Sequence, residues 1–574
     1  MELGRRAFCG TGLSAVALGL LSRRGGAEPR LWGSTDALAA RLERSMPVER
    51  VGRFAPSVMV KGMPFAPGFS GDAFPDGTIP FHSGESVFPG GVPPEPTEVV
   101  DVAIAGGGLS GLSTAYLLRH RRPVVFELHD RFGGVSRGEE WAGTRYSLGG
   151  AYFITPDKGT FLDEFYRELE LDQHYRLSDG DDPVELNGAV LEQFFEGVGV
   201  PKEDVPAFLE YAAIVKYYAE ESYPDIPLDP KKDNAWILAL DTISLKDDLA
   251  ARMKSPMPEL LASAIQAYCF SSFDLSWDQL SAASAWNFIA AEEFGRWVLP
   301  GGNAWLVQTL WERLTGLYCR GDEKVGPTPE RLRPGWRVVD VRPGDKGLVQ
   351  VTSRGPGGEW RSLLAQTVVM ACSKHVCKYI LHDLESVDPE RMQSMHAVGT
   401  HPYLVANVLL EAPIARDFYD LFLLGDGSLP LSHEGATGNV PVVDALNGHF
   451  ARVESLDRSV LTLYWPLPYS TAMFGLIADT AWQDWAGDLV PQIQRILGVL
   501  KVPASAVRQV RMTRWGHAMP LARTDFIAGG HPDRLRAPYL GRVYFVNQDN
   551  WSLPAVETCL LEAQTFAAAI DAAL

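Results

Sequence analysis

Val100–Gly134 reads VDVAIAGGGLSGLSTAYLLRHRRPVVFELHDRFGG. Within it, Val102–Ala105 has the length and β-branched character of a buried parallel strand. Gly106, Gly108 and Gly111 follow in GxGxxG spacing, a helix is expected over Leu112–Arg119, and a second strand, Val124–Phe126, ends at the acid Glu127. Each part has a mechanical reason. Gly106 permits a tight turn, Gly108 lets backbone approach a pyrophosphate, and Gly111 lets helix pack on strand. The helix N-terminus, where Leu109 and Ser110 lie, supplies free N–H groups and a positive dipole end for the phosphates. Glu127, followed by Leu128, sits where a carboxylate accepts hydrogen bonds from an adenosine ribose. A lone GxGxxG is also what a ligand-free glycine turn looks like. Strand, glycines, helix, strand and acid in one βαβ unit point to a dinucleotide instead.

The next glycines choose between nicotinamide and flavin. HDRFGGVSRG carries Gly133–Gly134, and TRYSLGGAYFI carries Gly149, Gly150, Ala151 and Tyr152. A nicotinamide enzyme does not need these. A buried flavin dinucleotide does, because its ribityl chain and ring lie against backbone with no side chain between. On these motifs the sequence resembles the flavin-containing amine oxidoreductase family, and HDRFGGVSRGEEW is most similar to its spermidine dehydrogenase branch. Many relatives place Arg directly after the doublet. Here Val135 and Ser136 stand there, and Arg137 is the substitute for phosphate charge compensation.

The resemblance implies an α/β fold, with an FAD-binding Rossmann-like domain of the GR2 type and an inserted mixed α/β substrate domain. The expected organisation is a signal peptide (1–27), a Pro/Gly-rich irregular arm (28–97), cofactor segments 98–155, 294–390 and 531–574, and substrate segments 156–293 and 391–530. Helices are expected at Thr160–Leu169, Val205–Tyr218, Pro258–Tyr268 and Ser281–Ala290. In the second cofactor segment, Pro300–Gly301–Gly302 with Leu306 matches the family's return to the cofactor. Trp336–Val341 and Leu348–Thr352 read as a strand pair, with the Val338 backbone presented to adenine by the resemblance. The strand Ala365–Ala371 would bring Ala371 and Cys372 to the flavin, as strand carboxyl ends do in such sheets. Arg511–Phe526 would place Trp515 beside it. The closing pattern is a strand over Arg542–Asn547, a turn over Asn547–Asp549 and a helix over Ala555–Ala569. There Gln548 and Asp549 would bond ribityl or diphosphate groups. Ala555 and Val556 would put a helix N-terminus at the flavin N1–C2 carbonyl, stabilising the anionic reduced ring.

The activity implied is oxidation of an amine, with a polyamine as one form, by hydride transfer to FAD held non-covalently. His517 is the proton-acceptor candidate, and Trp551, with Trp515 as competitor, is the candidate aromatic wall for the substrate. Amine oxidases commonly carry a Lys near flavin N5, but His396–Leu410 contains none and offers only His401, Tyr403 and Asn407. That favours a dehydrogenase over an oxidase, with oxygen, a quinone or a redox protein as electron acceptor. Three other readings stay open: oxidation of an amino acid or polyene, a non-catalytic flavoprotein, and a structural protein on a relic fold.

The rest of the chain sets bounds. A net charge of −19 at pH 7 argues against nucleic-acid partners. Six cysteines form no metal-ligand pattern, although Cys372 and Cys377 lie close in sequence. Arg5–Arg6 before the short apolar run Gly10–Leu21 resembles a twin-arginine export signal, so the mature chain is expected outside the cytoplasm or in the periplasm with no membrane span. His82 in the arm, and Glu220, Glu221 and Asp225 among the helices, read chiefly as solvated groups, with ligand or ammonium binding as the sharper alternative.

Overall fold

A computed structural model describes residues 35–52, 54–72, 88, 91–316, 329–438, 440–452, 457–469, 471–477 and 481–574. The export signal and His82 lie outside the described residues.

Two large sheets carry the molecule. In the seven-stranded sheet, Pro96–Ala105 pairs in parallel with Val124–Glu127 on one side and Trp360–Met370 on the other. Leu332–Pro334 extends the first edge in parallel, and Val349–Arg354 and Arg337–Pro343 extend the second antiparallel. The end of Trp360–Met370 also pairs with Val543–Phe545. The sheet therefore takes its strands from three stretches far apart in sequence. Val102, Ile104, Val124 and Val125 have no exposed surface, which is why an unbroken apolar run, not an alternating one, marks these central strands. Helices Leu109–Leu117 and Val556–Ala573 pack together on one face, around Leu112, Leu560 and Ala563.

The nine-stranded sheet runs from Ala189–Leu191 and Val184–Leu186 through Asp420–Gly425, Asp444–Asn447, Ser459–Pro466, Thr400–Leu410 and Val507–Pro520 to Met63–Gly71 and Val58–Val60. Along the chain between Val124–Glu127 and Leu332–Pro334, helices include Phe161–Glu168, Val205–Glu220, Glu259–Phe273 and Ala282–Ile289.

The arm departs from expectation. Val58–Val60 and Met63–Gly71 are not irregular; they form a hairpin joined in parallel to Val507–Pro520. Met63 and Phe65 are buried, so a period-two alternation outweighs the Pro and Gly content that suggested a loop. Val48–Arg50 likewise pairs with Gly138–Trp141. No helix among the described residues is long and apolar enough to cross a membrane.

Candidate active site

One cavity of about 770 Å³ runs from the glycine loop of the first sheet to the inner face of the second. That size lies within the range of cofactor and ligand sites.

At its first end, Gly106 turns with φ +114°, and a Cβ there would meet the Ala371 carbonyl at 2.9 Å. Gly111 does not line the cavity; a Cβ on it would lie 1.9 Å from the Gly106 oxygen, so its smallness serves helix-on-strand packing. Gly108 is different. A Cβ there would meet nothing nearer than Gly134 at 3.7 Å, so the protein itself does not demand glycine. The space is open to a ligand, and Gly108 caps the helix Leu109–Leu117 with no side-chain hydrogen bond, leaving its first N–H groups for an anion. Leu109, Ser110, Gly133, Gly134, Val135 and Ser136 border the same space. Glu127, also in the lining, accepts from Gly107 N–H at 2.9 Å and His129 N–H at 2.8 Å, and burial pushes its carboxyl above the usual range. Leu128, Val338, Ala371 and Cys372 continue the wall.

Gly149, Gly150, Ala151 and Tyr152 line the middle of the cavity together with Trp515, whose indole N–H donates to Leu148 O at 2.7 Å. Gln548, Asp549, Ala555 and Val556 face them from the closing segment. Asp549 Oδ2 accepts from Lys374 N–H at 2.7 Å, and Ala555 caps the closing helix with no side-chain bond. These features fit a flavin dinucleotide: a gap at Gly108, two uncapped helix N-termini and a buried acid at the second strand's end.

Trp551 and Arg137 also fall outside the lining. Trp551 does not line the cavity; its indole N–H donates to Glu562 at 3.1 Å and Arg536 stacks 5.2 Å over its ring, so it packs the closing helix and forms no substrate wall. Arg137 is also off the lining. Its guanidinium donates to Gly134 O at 3.1 Å and Gly71 O at 3.2 Å and lies 5.2 Å over Trp515, behind the doublet. His517 does line the cavity, with Nδ1 2.7 Å from Thr400 Oγ1 and its ring 3.8 Å from that of His375. Burial and Lys378 push its pKa down to about 4, so it is neutral at pH 7 and a weak base. Of the residues offered in place of a lysine, Tyr403 lines the cavity, whereas His401 bonds Asp274 O and Asn407 bonds Ser147 O away from it. No lysine is among the described lining residues.

The far end was not anticipated. Arg296 lies between the rings of Tyr152 and Tyr419, 5.1 and 5.2 Å from their centres. It donates to both Asp182 oxygens at 2.6 Å and lies 3.2 Å from Glu292 and 3.8 Å from Asp420. Glu292 in turn accepts from the Tyr152 and Tyr268 hydroxyls at 2.9 and 3.0 Å. Asp420, Asp444, Tyr403 and Tyr464 complete this chamber. Burial pushes Asp182 up to about 6 despite Arg296, and raises Asp420 and Asp444 as well. Acids inside apolar strands, as in YDLFLLG and VVDALN, were the available signal. Asp225 reaches the cavity too, paired with Lys232 at 2.9 Å, while Glu220 pairs with Lys216 on the surface.

Fold and cavity together define an FAD-dependent oxidoreductase. The model of the flavin containing amine oxidoreductases matches residues 109–570, and the chain belongs to that family. Among curated relatives, the oxidoreductase PigB of a Serratia species is 22% identical over 557 residues, covering 87% of this chain and 78% of PigB. Cyclohexylamine oxidase from Brevibacterium oxydans superposes with TM-score 0.57 at 20% identity, covering 82% of this chain and 98% of that one. Putrescine oxidase bound to putrescine does so with TM-score 0.56 at 18% identity, over 83% and 100%. These likenesses establish the shared fold.

Proposed function

We propose that this protein oxidises an amine, polyamines included, and that it works after export by the twin-arginine route. The observation that carries the amine reading is the continuity of the dinucleotide cradle with a chamber of tyrosines and carboxylates whose one arginine is already taken by acids. A cationic amine is attracted there. A substrate carboxylate would meet Asp420, Asp444 and Glu292 and, among the described lining residues of the chamber, no cation other than the acid-bound Arg296; a polyene would meet buried charge. The HDRFGGVSRGEEW phrase supports the polyamine form, and Arg5–Arg6 supports export.

FAD, when bound, supplies the two-electron acceptor that takes the amine's α-hydrogen as hydride, leaving an imine for water to hydrolyse. The chain's residues do the rest. The cradle glycines and Glu127 hold the dinucleotide, and the uncapped first turn of Val556–Ala573 presents N–H groups to negative charge in the cavity. The buried tyrosines exclude water around the substrate. The ammonium must lose a proton before the hydride leaves, and two groups in the lining are placed to accept it. Neutral His517 is one; Glu557, with a pKa raised by burial to about 7, is the better matched.

The test is an anaerobic screen of amines, amino acids and polyenes, watching flavin absorbance. Bleaching by amines alone is expected. Bleaching by an amino acid or polyene with no response to any amine would overturn the reading.

A further inference from the structure

Asp420 and Asp444 come from adjacent antiparallel strands in which Asp420 pairs with Leu446 and Phe422 with Asp444. The two acids are therefore diagonal neighbours on one face of the sheet. Both line the cavity, and they are only 3% and 2% exposed. Ser271 Oγ donates to Asp444 Oδ2 at 2.8 Å, and Arg296 lies 3.8 Å from Asp420 Oδ2, but among the described residues no donor reaches Oδ1 of either acid. The carboxyls are within hydrogen-bonding reach of each other. Two buried carboxylates on neighbouring strands resist being ionised together, and burial raises both, so the pair holds one proton between them.

The surroundings offer that proton little competition. Arg296 is engaged by Asp182 and Glu292, which leave the chamber net negative even with the pair singly protonated. From Glu259–Phe273, Ser271 donates to the pair and Tyr268 to Glu292. The Tyr403 hydroxyl donates to Ser271 O at 3.2 Å, and that of Tyr464 to Gly149 O. Besides Arg296, the only arginine of the described lining is Arg337, next to Val338 at the dinucleotide end. A buried acid pair with open acceptors, facing a cavity that Tyr152, Tyr403 and Tyr464 also line, is a site for a cation with several N–H donors.

We propose that Asp420 and Asp444 bind a second, non-reacting ammonium of the substrate, which replaces the proton they share, so that the enzyme selects diamines and polyamines over monoamines. This rests on the amine reading above and specifies it. An ammonium supplies donors to both open Oδ1 atoms, and its positive charge takes over the balance the shared proton had provided. One proton leaves for each diamine bound.

The experiment uses the FAD-loaded enzyme and two matched pairs of probes: diaminobutane with butylamine, and diaminooctane with octylamine. Anaerobic flavin reduction gives kcat/KM for each, and a pH-indicator dye in weak buffer at pH 7 counts protons released. The expected result is at least one diamine favoured over its monoamine by about tenfold to hundredfold, the range of a lost charge-assisted hydrogen bond. That ratio should fall at least tenfold in Asp420→Asn and Asp444→Asn. The favoured diamine should also release about one more proton per site than its monoamine, which cancels protons common to both reactions. Equal kcat/KM within both pairs, or no extra proton, overturns the proposal and leaves the amine reading standing. No reduction by any amine overturns both. If the Asn variants fail to hold FAD, the proton count on the unaltered enzyme decides alone.

Discussion

Glu557 connects the fold to pH in a way that can be worked out in advance. It lies in the first turn of Val556–Ala573, lines the cavity and accepts from Ile154 N–H at 2.9 Å. Burial, reinforced by Glu292, raises its pKa from 4.5 to about 7. The folded state thus binds this proton more tightly than the unfolded chain. The stabilisation is complete below about pH 4.5 and is lost as pH rises through about 7, where the group becomes a buried carboxylate. At 1.36 kcal/mol per pKa unit, the difference from a permanently neutral side chain is about 3 kcal/mol at pH 8 and less than about 1 kcal/mol at pH 5. Glu557→Gln is that neutral side chain, of nearly the same shape, and keeps an oxygen for Ile154. For a chain of this length about 3 kcal/mol corresponds to roughly 2–3 °C. Flavin-free Glu557→Gln should therefore melt that much above the unaltered protein at pH 8, with the gap nearly closed at pH 5. A variant that melts at or below the parent at pH 8, with no change in the gap across pH, would show that Glu557 is solvated and ionised. In the FAD-loaded enzyme the same substitution should remove a kinetic pKa near 7 from kcat/KM.

Four further outcomes follow. Glu127→Ala deletes the acceptor for two backbone N–H groups of the cradle and should weaken FAD binding about tenfold to hundredfold; flavin retained normally through dialysis would place the ribose elsewhere. Acid precipitation should release all the yellow colour. Cys559 is held as a thiol by burial, with a pKa of about 11, beside Gln548, and Cys372 adjoins the Gly106 turn at the dinucleotide end, so colour left on the denatured chain would contradict non-covalent FAD. Replacing Arg5 and Arg6 by Lys should leave the precursor in the cytoplasm, and unchanged export would refute the twin-arginine reading. With no lysine in the described lining to stabilise developing superoxide, substrate-reduced enzyme should reoxidise faster with an acceptor dye than with air; equal rates, with peroxide matching substrate consumed, would make it an oxidase.

The dinucleotide end was legible because its chemistry is written in backbone. A turn at φ +114°, and a helix packed so close that a Cβ on Gly111 would fall 1.9 Å from the Gly106 oxygen, can be built only from glycine, so the motif reports geometry directly. The strands beside it are buried on both faces and carry the unbroken apolar runs that sequence reading looks for. Helix ends moved by a few residues: the glycine-motif helix begins at Leu109, in place of Leu112, because Gly108 can cap it. Trp551 was misplaced for a related reason. Its position beside the closing turn is right for the cavity, but whether an indole faces a ligand or a helix depends on Glu562, eleven residues on, and Arg536, which no local pattern links to it.

The chamber was illegible because its members are joined only by the second sheet and its neighbours. Asp182, Glu292, Arg296, Asp420 and Asp444 lie on separate elements, and apart from Glu292 four residues before Arg296 no spacing rule connects them. What sequence does hold is the anomaly each makes locally. Asp420 opens a strand otherwise formed by Leu421–Gly425, and Asp444 opens one with Ala445 and Leu446. A charge buried in an apolar strand has to be repaid by a partner, a proton or a ligand. Arg296 hydrogen-bonds Asp182, pairs with Glu292 at 3.2 Å and reaches Asp420 only at 3.8 Å, and Ser271 serves one oxygen of Asp444. The partners run out before the acids do. That shortfall, located at the end of a cavity whose other end is built for a flavin dinucleotide, is what turns a family-level expectation of amine chemistry into a specific expectation about how many ammonium groups the substrate carries.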